Sequence, residues 1–158
     1  MSYKLPPVTH GDFKDTRIQI YTGGTSGQSV FLDTSFDANS GIVLSGETKF
    51  IVSSSGDYLI NGQMTFGMTG GTNTVVEVWL EKNLNLVTNS TIRATIKDSN
   101  NVLTLPISYI IDMLANDYIE FKWYCGGASP RLVSYPIGAT PTRPLTASVN
   151  LLINKISE

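Results

Sequence analysis

The sequence predicts an all-β protein, an antiparallel sandwich or jelly roll. Three observations carry this. No 12-residue stretch holds a helical period. Eight to ten short apolar or alternating runs recur, with turn residues breaking the chain every ~8 to 12 positions. The run Tyr118–Tyr124 alternates strictly, with Ile119, Phe121 and Trp123 on one face and Tyr118, Glu120, Lys122 and Tyr124 on the other.

Taken in order, residues 1–17 show no alternation and carry Pro6-Pro7, the only histidine, His10, and charges that include Asp12, Lys14, Asp15 and Arg17. They are expected to form an extended arm outside the core, with Leu5, Pro6, Pro7, Val8 and Phe13 as anchors against a neighbour. The domain proper is expected over 18–158. Arg17–Tyr21 alternates and Gly23–Gly27 breaks it; Val30–Leu32 and Thr48–Val52 are the next strands. Tyr58–Phe66 alternates cleanly, putting Tyr58, Ile60, Met64 and Phe66 on one side. Thr74–Lys82 follows, with Val76, Val78 and Leu80 inward and Glu77, Trp79 and Glu81 outward. The short Gly-rich loop between these two predicts an antiparallel hairpin.

Thr88–Lys97 is rich in β-branched residues, and Asp98-Ser99-Asn100-Asn101 turns the chain into Val102–Leu105. Ile107–Leu114 and Tyr118–Tyr124 read as two strands joined by the turn Ala115-Asn116-Asp117, whose Asn and Asp tolerate left-handed angles. Residues 125–143 read as a long loop fixed in shape by prolines, presenting Arg131, Tyr135 and Arg143. The closing run 145–156 puts Ala147, Val149, Leu151 and Ile153 on one face and is expected to be a central strand.

At 158 residues the chain has one domain's worth of core and buries about 70% of its unfolded surface. A net charge of −2, 15% charged residues and no basic cluster argue against nucleic acid. No apolar run approaches the ~18 residues of a membrane span, and no signal-peptide core precedes residue 17. Lone Cys125, beside Trp123 and Tyr124, reads as a packed strand residue.

Catalytic and metal-binding patterns are missing from the sequence. One histidine and one distant cysteine make no zinc site, and no G-x-S-x-G elbow occurs. Asp57, Asp112 and Asp117 sit at turns, where turn formation is favoured over calcium binding. No cofactor is expected and an enzyme is disfavoured; a glycosidase using Glu77 and Glu81 is the formal exception. Function therefore rests on surfaces. The tyrosine-bearing face of Tyr118–Tyr124 reads as a surface that meets another copy of the chain.

Three segments carry a family resemblance: Gly56-Asp57-Tyr58-Leu59-Ile60-Asn61-Gly62-Gln63, Val78-Trp79-Leu80-Glu81-Lys82-Asn83 and Ile111-Asp112-Met113-Leu114-Ala115-Asn116-Asp117-Tyr118-Ile119-Glu120. Over residues 45 to 156 the chain resembles the complement-head and tumour-necrosis-factor-like jelly rolls, in the form found in bacteriophage virion proteins. Asn116 stands where that family usually has Gly, and Val149-Asn150-Leu151-Leu152 replaces its carboxy-terminal motif.

The resemblance implies a two-sheet antiparallel jelly roll that forms a homotrimer, with Ile111, Tyr118, Glu120, Lys122 and Tyr124 near the threefold axis. It also implies a structural role on a phage capsid surface: a decoration or cement protein, made in the host cytoplasm, whose partner is the major capsid protein. The alternative is a receptor-binding knob that holds host-surface glycan through Trp79, Arg131, Tyr135 and Arg143. A secreted signalling or lectin-like module ranks third.

Overall fold

The computed structural model describes residues 8–22, 24–33, 40–127, 129–139 and 141–157. Their strands are β1 (His10–Asp15), β2 (Gln19–Ile20), β3 (Gln28–Ser29), β4 (Ile42–Ser45), β5 (Lys49–Val52), β6 (Gly56–Met68), β7 (Thr72–Lys82) and β8 (Asn85–Leu86). They continue with β9 (Ile92–Asp98), β10 (Leu103–Met113), β11 (Tyr118–Cys125), β12 (Pro130–Leu132), β13 (Gly138–Ala139), β14 (Thr142–Arg143) and β15 (Val149–Lys155). No helix occurs among the described residues.

Two antiparallel sheets form a sandwich. In the first, β1, β15, β6 and β10 lie side by side, and β12 with β2 continues beside the far end of β6. In the second, β4, β5, β11, β7 and β9 lie in that order, with β3 against β11 and β8 against β7. The alternating runs supply the inner faces. Tyr58, Ile60, Met64 and Phe66 of β6 meet Val76, Val78 and Leu80 of β7 and Ile119, Phe121 and Trp123 of β11 in one core, all essentially inaccessible to solvent. β15 is central, between β1 and β6, as its burial pattern required.

Three expectations change. β6 and β7 are no hairpin: they lie in opposite sheets, and the loop between them crosses the sandwich. β10 and β11 are the two strands expected on either side of the 114–117 turn; they belong to opposite sheets, so that turn is a corner between layers. The first seventeen residues are not all arm. His10–Asp15 pairs along β15 from His10↔Asn154 to Asp15↔Val149, and Phe13 sits in the core against Phe50 with ring centroids 4.7 Å apart. Finally, residues 125–143 are not one loop, because β12 adds to the first sheet and β13–β14 forms its own small hairpin.

The corner at 114–117 is tied to three strands. The Asp117 carboxylate accepts from the Leu114 N–H (2.8 Å) and the Asn83 amide (2.7 Å) and pairs with Lys82 Nζ at 2.9 Å. Asn116 N–H donates to Val52 O, and Lys82 also donates to Asp112 O. Beside it, Asn83 and Leu84 both have positive φ, 50° and 68°, between paired Lys82 and Asn85. That is the type I′ geometry that joins tightly twisted strands.

Candidate functional site

The expected copy-to-copy face does not survive as a set. Ile111 is on β10, in the other sheet, and points into the core with only 9% exposure. Tyr118, Glu120, Lys122 and Tyr124 do share the outer face of β11. Glu120, however, is already satisfied within its own chain, paired with Lys122 at 3.2 Å and 4% exposed. Burial alone raises the Glu120 pKa, but hydrogen bonds with Ser29, Thr48 and Lys122 outweigh it and hold the carboxyl below its ordinary value. Lys122 also donates to Ser29 Oγ at 2.8 Å, and Lys49 lies over the Tyr118 ring. This face is a charged, internally paired surface.

The outer face of the first sheet differs in kind. Cross-strand register lines up Asn154, Leu59 and Ile110 in one row, Leu152, Asn61 and Ser108 in the next, and Asn150, Gln63 and Pro106 in a third. Charged side chains lie at the margins, with Asp12 and Lys14 on β1 and Asp57 opposite Asp112 where β6 meets the end of β10. Ile110 is 67% exposed and Leu152 41%. A shallow groove of about 460 Å³ runs over Asn61, Gln63, Asn150 and Leu152. Pro106 fits here because β10 ladders only with β6, leaving its other edge without a partner strand.

The residues expected to hold a ligand are split across the molecule. Trp79 lies on the outer face of the second sheet, its ring across Gly27 and its Nε1 donating to Glu81 at 3.3 Å. Gly27 has φ +75°, and any Cβ there would strike the indole. Arg143 belongs to the β13–β14 hairpin and packs over Gly138. Arg131 and Tyr135 are brought together. Both line a crevice of about 150 Å³ at the end of the first sheet, with Ser99, Asn101, Val102 and Ser134. Sequence reasoning missed those four: Ser99, Asn101 and Val102 reach the crevice because the β9–β10 turn comes up beside β12, and Ser134 follows β12.

Of the arm anchors, Leu5, Pro6 and Pro7 lie outside the described residues, Val8 is 65% exposed, and Phe13 is core. Cys125 is buried in β11, where burial raises its pKa and its Sγ lies 2.7 Å from Gly127 O. Glu77 pairs with Arg93 at 3.4 Å, while Glu81 accepts from Trp79. Among the described residues no group of three or more His, Cys, Asp or Glu is placed to hold a metal ion, and no helix is long and apolar enough to cross a membrane. Neither a scan against protein-family models nor a search of curated proteins finds a match to this chain.

Proposed function

We propose that the chain is a homotrimeric surface protein of a bacteriophage virion, a decoration or cement protein that binds the capsid shell and stabilises it. Strand order carries this reading. Two antiparallel layers running β1-β15-β6-β10 and β5-β11-β7-β9 support a jelly-roll reading, the architecture that the resemblance to complement-head and tumour-necrosis-factor-like proteins implies. A closed cyclic trimer suits a shell because it can sit on local threefold points.

On this reading the copies meet through the outer face of the first sheet rather than through β11. Interface centres are depleted of charge and enriched in apolar and uncharged contacts, which describes Leu59, Ile110 and Leu152 among Asn61, Gln63 and Asn150 better than it describes Glu120 and Lys122. The shell anchor shrinks to the residues before β1, since Phe13 belongs to the core.

The decisive measurement is the solution mass of the purified chain, followed by mixing with shells that lack it. A trimer that binds those shells and raises their resistance to heat supports the proposal. A monomer, or a trimer that ignores shells, rejects it. Deleting residues 2–8 should abolish attachment and leave the trimer intact, whereas deletion through residue 16 would remove β1 and unfold the sheet. A receptor-binding knob is the second reading, favoured by the crevice around Arg131; binding to host envelope without binding to shells would move the function there.

A further inference from the structure

Among the described residues, the non-glycine positions with positive φ are Glu47, Asn73, Asn83, Leu84, Asn89 and Asn116. The asparagines carry a short polar side chain that tolerates the left-handed region, and the Glu47 carboxylate is paired with Arg17 at 3.0 Å. Leu84 has neither feature. It holds φ 68° at the second central position of the β7–β8 turn, where glycine is the usual residue, and its side chain is 74% exposed, outside the core. A bulky apolar residue in that conformation costs stability and gains no packing, and backbone strain of this kind concentrates where a function uses it.

The tip is clamped. Asn83 N–H donates to Tyr118 O, the Asn83 side-chain oxygen accepts from Tyr118 N–H at 2.9 Å, and its amide donates to Asp117 at 2.7 Å. The other oxygen of that carboxylate accepts from Leu114 N–H, so one side chain joins the hairpin to the 114–117 corner. Leu86 on the hairpin and Leu114 at the corner are 72% and 62% exposed. Asn83-Leu84-Asn85-Leu86 carries no charge, and the adjacent Lys82 is paired with Asp117.

The chain enters β1 at this same end. Thr9 O accepts from Lys155 N–H, Lys155 pairs with Tyr58, and Gly56, two residues earlier on β6, pairs with Met113 just before the corner. Seven residues precede Val8, a length that spans at most about 25 Å. We infer that the β7–β8 tip is the second half of the shell contact: Leu84, with Leu86 and Leu114 at the same end, enters an uncharged apolar cleft of the shell protein near the attachment of the residues before β1. This rests on the capsid reading above. A clamped tip docks without the ordering cost of a loose loop, and burial of exposed leucine surface supplies affinity.

The test uses the full chain and shells that lack it, with attachment read by co-sedimentation over a concentration series. Leu84→Gly and Leu84→Asn relieve the backbone and remove the apolar side chain. Both should weaken attachment by more than about tenfold with the solution mass unchanged, and Leu84→Gly should do so while raising the unfolding midpoint of the free chain. Leu84→Met, apolar and of similar volume, should retain attachment. Leu86→Ser and Leu114→Ser repeat the comparison without altering the left-handed turn. A substitution that stabilises the chain yet impairs its attachment is a result that a purely structural Leu84 does not give.

A parent chain that ignores shells overturns the capsid reading and this contact with it. A parent that binds while Leu84→Gly and Leu84→Asn bind equally well overturns this contact alone. If those variants keep attachment but lose a concentration-dependent rise in solution mass shown by the parent, the tip belongs to a second copy of the chain; if they lose only adhesion to phosphatidylcholine vesicles, it belongs to a lipid surface. Either outcome rejects the shell contact.

Discussion

The two ends of the sandwich handle charge in opposite ways. At the corner between β10 and β11, Asp117 is hydrogen-bonded to Leu114 and Asn83 and paired with Lys82, and the same residues brace β5 and β7. At the other end, Arg131 is partly buried with an Nε that nothing satisfies. A buried polar group with partners holds neighbouring strands in place; one without them costs stability and holds nothing. The first end is braced by its charge and the second carries an unmet hydrogen bond.

The largest expected effect comes from breaking the tied end. Asp117→Ala strands Lys82, the Leu114 N–H and the Asn83 amide, and should cost about 2–3 kcal/mol by denaturant unfolding, below the ~3–5 kcal/mol of a fully buried pair because the site is partly solvated. A loss under 0.5 kcal/mol, on the order of an ordinary surface change, would remove the contrast between the ends.

Acid should act on the same residue. Burial by itself raises the Asp117 pKa, but Lys82, the Leu114 N–H and Asn83 bring it down from 3.8 to about 2. As the pH falls the unfolded chain takes up this proton first, so the stabilisation is complete above about pH 4 and disappears as the pH falls towards 2. Its size is about 2 kcal/mol. Unfolding free energies at pH 4.5 and pH 2 should therefore converge between the parent and Asp117→Asn; parallel curves would show that the carboxylate contributes nothing.

Leu84 sharpens the comparison from the opposite direction. It holds φ 68° while 74% exposed, so Leu84→Gly removes left-handed strain and no packing. A gain of about 1 kcal/mol is expected, read as a higher unfolding midpoint. The smallest effect belongs to the other end: Arg131→Met should change stability by less than about 0.5 kcal/mol, or raise it, because no interaction is lost. A loss of about 2 kcal/mol or more there would make Arg131 a structural residue after all.

Alternation made the inner faces legible. Ile119, Phe121 and Trp123, and Tyr58, Ile60, Met64 and Phe66, are buried as their spacing required. Partnership was not legible, because a period of two says which way a side chain points and nothing about the strand beside it. A short loop can close a ladder or cross ~10 Å to the other layer, and the loop between β6 and β7 crosses. β1 escaped notice because its inward positions are Gly11, Phe13 and Asp15, of which only one is apolar. Asp15 can be fully buried because Arg17 and Gln19 bond its carboxylate, a compensation that lies just outside the strand. Arg131 was visible as a residue type, but its crevice mates on the β9–β10 turn and after β12 come together only in three dimensions.

The first and last strands being neighbours has a consequence for synthesis. Asp15 O accepts hydrogen bonds from Ser148, 133 positions later, and β15 is wedged between β1 and β6. On the ribosome, β1 has only its bridges to Asp33 and Ser40 until residues 149–155 emerge, and β6 keeps one raw edge along Tyr58–Met64 for the same interval. Closure is therefore a late event dominated by distant contacts, which makes folding slow. The nascent chain meanwhile displays an open strand edge of the kind that recruits other chains, so a truncated product lacking β15 should aggregate rather than fold.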